Sequence, residues 1–297
     1  MLFRSVFITG GTGLIGSAVV AELLSAGHTV LALTRSDTSA VAAQRAGATA
    51  IRGGLRDLDA ICTGAQQSDG AIHLAFSNDF SSLEALARSI AEETAAITAI
   101  GEEFVGSDRP FAIVSGTPWI PGRASTEDDP LPTDGPVGGR GRTVTATLEL
   151  AERGVRTSAI RMPRTVHNNG VGGFAGLLTH IARSSGVSGY PGDGTQRWPA
   201  VHALDAAVLF RLALENAPAG STWHAVADEG DAVRDIAEVI GMKLGVPAQR
   251  VPHDSFGALG EIFAMDQPST SAKTRAGLGW TPTHPSLLDD LEQNLEP

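Results

Sequence analysis

The sequence contains a single cysteine, Cys62, among its 297 residues. One cysteine allows no disulfide within the chain, and no group of cysteine and histidine residues has the spacing of a zinc site. We therefore expect a protein of the reducing cytoplasm that holds no metal, with Cys62 serving as a small buried hydrophobic residue.

Basic residues and long apolar runs are also scarce. Lysine and arginine number 22 against 33 acidic residues, which gives a net charge of -11, and no basic run suits a nucleic acid backbone. Glycine, proline or charge interrupts every hydrophobic run before the roughly 20 residues that span a bilayer, and we identify no signal peptide. We expect a soluble protein without nucleic acid or membrane partners.

Short β-branched runs alternate with helical patterns through the first half of the chain, which is typical of βαβ units in a parallel sheet covered on both faces. The predicted strands are residues 5–9, 29–34, 48–52, 71–76, 111–115 and 157–161. The predicted helices include one that begins in a glycine loop and ends at Gly27, and others at 82–104, 143–153, 232–244 and 286–295.

These elements predict an α/β protein with two domains. Residues 1–164 and about 198–228 should form a Rossmann domain with a doubly wound parallel sheet. Residues from about 165 to 197, together with 229–297, should form a smaller C-terminal α/β domain that binds the substrate. Residues 166–195, which include eight glycines, are interpreted as an insertion packed over the sheet edge.

The loop from Gly10 to Gly16 directly follows the first predicted strand and opens a helix. Gly10 permits a tight turn, Gly13 lets the backbone approach a pyrophosphate, and Gly16 lets the helix pack close to the strand. Helix N-terminal amides attract phosphate groups. The loop predicts a dinucleotide site, and the alternative is an ordinary tight turn. The same loop contributes Thr12, Leu14 and Ile15 to the predicted contacts.

Dinucleotide preference depends on the end of the second strand, where NAD-binding domains tend to place an acid against the ribose hydroxyls. Thr34 stands at that position, followed by Arg35 and Ser36. Arg35 can pair with a 2′-phosphate and Ser36 can donate a hydrogen bond to it, so NADP is predicted over NAD. The alternative is a solvated Arg35, and the nearby Asp37 weakens the NADP prediction.

Six segments spread over most of the chain form a recognisable set: Thr9 to Gly16, Asp57-Leu58, His73-Leu74-Ala75-Phe76, Arg161-Met162-Pro163 followed by Val166, Val201 to Ala207 and Leu278 to Pro282. In this order they resemble the extended and atypical short-chain dehydrogenase/reductases, the group that contains nucleotide-sugar epimerases and dehydratases.

The resemblance implies further cofactor contacts. Asp57 and Leu58 would lie at the adenine, and the segment from Leu74 through Ala75 to Phe76 would run along the cofactor. Pro163 would lie beside the nicotinamide, and Ser115 would approach the cofactor after the fifth strand.

One motif of that family is missing. Most members use a Tyr-x-x-x-Lys pair for proton transfer, whereas this chain has one tyrosine, Tyr190, and two lysines, Lys243 and Lys273. Counting back from the sixth strand puts Arg140 roughly where the tyrosine would be. Thr117 aligns with the Ser or Thr that polarises the carbonyl in the family, although Ser115 and Thr117 could instead satisfy turn amides.

Other groups must therefore assist the predicted chemistry. Arg140 could stabilise an oxyanion or hold a substrate carboxylate, and the alternative is a solvated arginine on a glycine-rich loop. His167 is the predicted proton donor because an unperturbed histidine has a pKa near 6.5, with a structural histidine as the alternative. Three aromatic residues could wall an apolar substrate or fill the core: Trp119, Tyr190 and Trp198.

Two functional hypotheses follow. The first is an NADP-dependent oxidoreductase or epimerase-like enzyme that acts on a small carbonyl or hydroxyl compound without the usual tyrosine and lysine. The second is a protein that binds NADP without turnover and reports redox state. A nucleotide-sugar substrate is a third hypothesis, from resemblance alone. The helices at 82–104 and 143–153 correspond to those through which family members often dimerise, which permits a homodimer.

Overall fold

The computed structural model of the chain describes residues 4–79 and 81–297. Its strands are β1 (Ser5–Thr9), β2 (Thr29–Thr34), β3 (Thr49–Arg52), β4 (Gly70–His73), β5 (Pro110–Gly116), β6 (Arg156–Met162), β7 (Thr165–His167), β8 (Ser188–Tyr190), β9 (Arg197–His202), β10 (Ser221–His224), β11 (Asp228–Ala232) and β12 (Ala248–Arg250). Its α-helices are α1 (Leu14–Ser25), α2 (Asp37–Arg45), α3 (Leu58–Gln66), α4 (Leu83–Phe104), α5 (Gly138–Glu149), α6 (Gly173–Ser185), α7 (Ala203–Asn216), α8 (Val233–Leu244), α9 (Gly260–Phe263), α10 (Ala272–Leu278) and α11 (Leu287–Asn294). Within the described ranges, no helix combines the length and the apolar character needed to cross a membrane.

A seven-stranded parallel sheet has the order β10-β6-β5-β4-β1-β2-β3. Its first strand is central: Phe7 lies beside Leu31 of β2 and beside Ala71 of β4, both in parallel register. Val6, Phe7 and Ile8 are all fully buried, as a strand covered by helices on both faces requires. The strand order reverses between β1 and β4, so the predicted doubly wound Rossmann fold is confirmed.

The chain divides into two compact units. The first comprises Met1–Ser115, Pro130–Arg161 and Ala206–Trp223, and the second comprises Gly116–Asp129, Met162–Asp205 and His224–Pro297. These boundaries differ from the predicted domains at residues 116–129, 162–164, 198–205 and 224–228, all of which lie in the second unit.

Each unit has a hydrophobic core of its own. In the first, Phe7, Ile100 and Phe111 pack together between the seven-stranded sheet and its helices. The second contains a three-stranded sheet, β11-β9-β7, and a two-stranded sheet, β12-β8. Its core includes Trp198 and Phe263.

Two predicted segments differ in the structure. The helix predicted at 143–153 begins earlier, at Gly138, and its last four residues form a 3₁₀ turn, Leu150–Arg153. The region 166–195, interpreted as an insertion over the sheet edge, contains three regular elements, β7, α6 and β8. Its glycines conceal helix α6 because they lie mostly at the ends of that helix, while Leu178 and Ala182 bury its inner face.

Candidate functional site

The glycine loop of the first unit requires glycine at two positions. Gly10 has a φ of 73°, and a Cβ there would lie 2.8 Å from the Ala75 nitrogen. A Cβ on Gly16 would lie 2.0 Å from the Gly10 carbonyl oxygen, so only glycine lets α1 pack this close to the strand.

The N-terminus of α1 is open to a ligand. Helix α1 begins at Leu14, and its N-cap residue, Gly13, has no side chain that could accept a hydrogen bond from the first helical amides. Thr12, Gly13 and Leu14 are exposed, with Ile15 half-buried. Helix N-terminal amides that lack intrahelical partners attract anions. These features fit a dinucleotide pyrophosphate at the loop.

Thr9 joins the end of β1 to the segment after β4. Its hydroxyl accepts hydrogen bonds from the amides of Leu74 and Ala75, each at 3.3 Å, and lies 3.0 Å from Nδ1 of His73. Burial, aided by the Arg140 charge, lowers the pKa of His73 to about 3. His73 is therefore a neutral structural group beneath the predicted cofactor segment.

The residues predicted at the adenine lie at the start of α3. The Asp57 carboxylate caps that helix by accepting a hydrogen bond from the Ala60 amide at 3.1 Å. Leu58 is 40% exposed, so it presents apolar surface beside the cap. This arrangement suits contact with a flat apolar ring.

Arg35 is exposed just after the end of β2, and its side chain forms no ion pair or hydrogen bond with any described residue. The nearby Asp37 instead pairs with Arg52, at 3.1 Å. Arg52 lies opposite Thr34 in the β2–β3 register, so a second cation stands at this edge of the sheet. The prediction from the sequence missed Arg52, although its place at the end of the third predicted strand was a usable signal.

Ser36 is already engaged. It is the N-cap of α2, and its hydroxyl accepts a hydrogen bond from the Ser39 amide at 3.2 Å and donates one to the Ser39 hydroxyl at 3.1 Å. Contact between Ser36 and a phosphate would have to compete with this capping box.

Arg140 lies in the first turn of α5 and forms two hydrogen bonds with Glu93 of α4. The distances are 2.8 Å from Nε and 2.7 Å from Nη2, and the guanidinium carbon lies 4.5 Å from the centroid of the Phe76 ring. Burial raises the pKa of Glu93, and the charge and hydrogen bonds of Arg140 oppose that rise. Arg140 is thus a fixed cation rather than a solvated one. Glu93 was not predicted, because acidic residues are common on amphipathic helices.

In the second unit, Thr117 is held by its backbone. Its amide donates to the Met162 carbonyl at 2.9 Å, and its carbonyl accepts from Gln267 Nε2 at 2.7 Å. The Thr117 hydroxyl is buried and has no hydrogen-bond partner within the described chain, so it does not satisfy a turn amide. Ser115, in β5 of the first unit, and Pro163, in the second unit, are both buried.

His167 belongs to a cluster of histidines in the second unit. Its Nδ1 lies 2.7 Å from Oδ2 of Asp290, and its ring is edge-on to that of His202 at 5.3 Å between centroids. His284 stacks on the His202 ring at 4.9 Å between centroids, and its Nδ1 lies 2.8 Å from Oδ1 of Asp205. Burial lowers the pKa of His202, and the two neighbouring histidines lower it further. Asp290 and His284 were not predicted.

The three aromatic residues predicted at the substrate differ in how far their side chains are exposed. Trp198 is fully buried against Phe174 and Phe263, at 5.7 and 5.0 Å between ring centroids. It therefore fills the core and does not wall a substrate, which corrects that prediction. Trp119 is 48% exposed, with its indole nitrogen bonded to a backbone carbonyl, and the half-buried Tyr190 packs at the edge of the core.

Comparison with known proteins extends these observations. A model of the NAD dependent epimerase/dehydratase family matches residues 6–226. The chain is 42% identical to a protein of Schizosaccharomyces pombe over 292 residues, which cover 96% of this chain and 97% of the relative. It is 40% identical to a Saccharomyces cerevisiae protein over 296 residues, covering 97% and 98%.

Among solved structures, the UDP-glucose 4-epimerase of Thermotoga maritima, determined with UDP-glucose, has a similar fold. Its TM-score is 0.79 at 20% identity, with 98% of this chain and 97% of that chain covered. At this identity the similarity concerns the fold alone.

Proposed function

Because the chain belongs to the NAD dependent epimerase/dehydratase family and is an NAD(P)-dependent enzyme, we propose that its cofactor is NADP. We propose further that it is an oxidoreductase acting on a small carbonyl or hydroxyl compound. The observation that carries the proposal is the state of Arg35. It stands without a partner among the described residues, while the competing acid, Asp37, is bound to Arg52.

The first unit supports this cofactor assignment at several points. The amides at the start of α1 would bind the pyrophosphate, and Arg35 would pair with the 2′-phosphate. Leu58 would contact the adenine, and the segment from Leu74 to Phe76 would lie along the dinucleotide. When bound, the nicotinamide supplies a hydride acceptor or donor for the substrate carbon.

The proposed chemistry uses the chain's own polar groups in place of tyrosine and lysine. The Thr117 hydroxyl would donate a hydrogen bond to the substrate carbonyl oxygen, since no described residue already occupies it. Arg140, held by Glu93 and Phe76, would supply a fixed positive charge toward a developing oxyanion or a substrate carboxylate. His167 stays a prediction as the proton donor.

Titration with NADPH and NADH, followed by a carbonyl panel monitored through NADPH oxidation, tests the proposal. We expect NADPH to bind at least about tenfold more tightly than NADH, as one charge-assisted contact provides, and at least one carbonyl to be reduced. Equal affinity for the two nucleotides would overturn the NADP assignment.

The missing tyrosine and lysine motivate the second function, a redox sensor that binds NADP without turnover. Tight NADPH binding without oxidation of the cofactor across the whole panel would favour the sensor over the enzyme. Interconversion of a nucleotide sugar, followed by product analysis, would instead favour epimerase chemistry. The three outcomes are distinct in the same set of assays.

We also propose that the chain forms a homodimer through α4 and α5. These helices line an open, mainly apolar groove of about 760 Å³, which includes Ile90 of α4 and Gly139 of α5. Ala87 is exposed within that groove, so Ala87→Arg should convert a dimer into a monomer in light scattering. A wild-type mass equal to one chain would overturn the proposal.

A further inference from the structure

Three side chains from different elements of the second unit converge on one buried point. His167 ends β7, His202 ends β9 directly beside it in parallel register, and Asp290 lies on α11. One ligand atom from each lies within 4.8 Å of the others, and the three residues are only 1%, 6% and 1% exposed. Two imidazoles and a carboxylate are donors that Zn²⁺ and similar ions prefer.

The hydrogen bonds of Asp290 determine the state of His167. Oδ2 of Asp290 accepts from Nδ1 of His167 and from the Gly170 amide at 3.1 Å, and Oδ1 accepts from Asn294 at 2.8 Å. Nδ1 of His167 and Oδ2 of Asp290 face each other at 2.7 Å. Because metal ligands must be deprotonated, an ion bound by both atoms would take the place of the proton between them. Nε2 of His167 lies on the opposite side of the ring and would not contact that ion.

The second histidine is held at the same point. Its Nδ1 lies 3.3 Å from the Leu204 amide, which donates to it. His284 packs flat against the ring, and Asp205 fixes His284 in turn. The ring of His202 is thereby restrained before any ion binds, which lowers the ordering cost of coordination.

The local charge favours a cation. Asp228 interacts with the carboxylates of Asp205 and Asp289 and with His167, and Asp231 interacts with Asp228 and Asp289. Negative charge in this part of the second unit attracts a divalent ion.

We propose that His167, His202 and Asp290 form a binding site for a divalent transition metal ion of the Zn²⁺ class. Bonds of 2.0–2.1 Å in a tetrahedral site place ligand atoms roughly 3.4 Å apart, so side-chain movements of about an ångström would bring the three ligands into place, with water in the fourth position. A metal-bound imidazole stays neutral and no longer takes up and releases a proton near pH 7, so this role would replace the predicted proton donation by His167. The ion would tie the C-terminal helix α11 to the three-stranded sheet.

Untagged protein, stripped with a chelator and titrated with ZnCl₂ and CoCl₂, tests the proposal. We expect one equivalent of Zn²⁺ per chain, a higher melting temperature with the ion, and the intense visible bands of tetrahedral Co²⁺. Absence of stoichiometric binding, or only the weak spectrum of octahedral Co²⁺, would overturn it.

Variants locate the site. Asp290→Asn and His202→Asn should each weaken Zn²⁺ binding by at least tenfold, and the asparagine oxygen at 202 can still accept the Leu204 hydrogen bond. His180→Asn, an exposed position on α6, should bind as the wild type does. Unchanged affinity in both site variants would overturn the assignment. If neither variant folds by circular dichroism, the wild-type Co²⁺ spectrum decides.

Discussion

Arg140 and Glu93 form a two-point ion pair between α5 and α4, 47 residues apart in the sequence. The Glu93 side chain is only 3% exposed and that of Arg140 is 31% exposed. A carboxylate this deeply buried depends on its partner, because an unpaired charge in the interior is poorly solvated. Arg140 therefore also stabilises the packing of α4 against α5 in the first unit.

Arg140→Ala should destabilise the protein by about 3 kcal/mol at pH 8, since it leaves the Glu93 carboxylate unpaired. Without Arg140, the pKa of Glu93 rises further above its unfolded value. The loss should therefore be largest at high pH and shrink as the pH falls and Glu93 takes up a proton. Urea unfolding at pH 5 and pH 8 measures both effects.

Matched variants complete that experiment. Adding Glu93→Gln to Arg140→Ala should recover part of the lost stability, because no charge then remains buried. Arg88→Ala, which removes an exposed ion pair on α4, should have little effect. A loss for Arg140→Ala that is independent of pH would contradict the ion-pair explanation.

His73 should make the folded protein sensitive to acid. Its pKa is lowered to about 3 in the folded state, whereas an unfolded histidine titrates near 6.5. Between these values the unfolded chain binds the extra proton, so stability falls with decreasing pH by up to about 1.4 kcal/mol per pH unit.

His73→Asn should remove this contribution, because asparagine does not titrate. Its side-chain oxygen can still accept a hydrogen bond from Thr9, so the variant should fold. The measurement is urea unfolding between pH 4 and pH 7, compared with the exposed-position control His180→Asn. Parallel pH profiles for wild type and His73→Asn would show that the buried imidazole contributes nothing to acid unfolding.

Arg35→Ala should lower the affinity for NADPH by about tenfold or more and leave that for NADH nearly unchanged, because only NADPH carries the 2′-phosphate. Arg45→Ala, at an exposed position on α2, is the control for general charge. Isothermal titration of both nucleotides measures the difference. An equal loss for NADPH and NADH would mean that Arg35 does not read the phosphate.

Gly13→Ala and Gly16→Ala should separate cofactor binding from folding. A Cβ on Gly13 meets its nearest atom at 3.5 Å, whereas one on Gly16 would lie 2.0 Å from the Gly10 carbonyl oxygen. Gly13→Ala should fold with near-normal stability and bind dinucleotide weakly. Gly16→Ala should lower the melting temperature. Normal dinucleotide affinity in Gly13→Ala would exclude the loop as the pyrophosphate site.

Thr117→Val should keep stability near the wild-type value, because its buried hydroxyl has no hydrogen-bond partner among the described residues. Loss of a donor to a developing oxyanion should lower kcat by about 100-fold with little change in KM. Steady-state kinetics on the best carbonyl of the panel measures this effect, with Thr145→Val on α5 as the control. Unchanged kcat would remove Thr117 from the proposed chemistry.

Local sequence was sufficient for several elements whose structure depends on neighbours along the chain. The strand at 5–9 and the helix at 82–104 were predicted within one residue, because their apolar periodicity and the Ser82 cap act over a few positions. Helix α6 was missed since its glycines obscured a periodic apolar face. The strand β10 was missed as well.

The sequence by itself determined the βαβ order, the glycine loop, the family and the absence of a tyrosine and lysine pair. Only the tertiary structure decided which side chains meet: Glu93 with Arg140, and Asp290 with His167, which lie 123 residues apart. The tertiary structure likewise decided that Trp198 is buried in the core. The reason is physical: turns and periodic faces arise from short-range sterics, whereas charge pairing and burial depend on how distant elements pack.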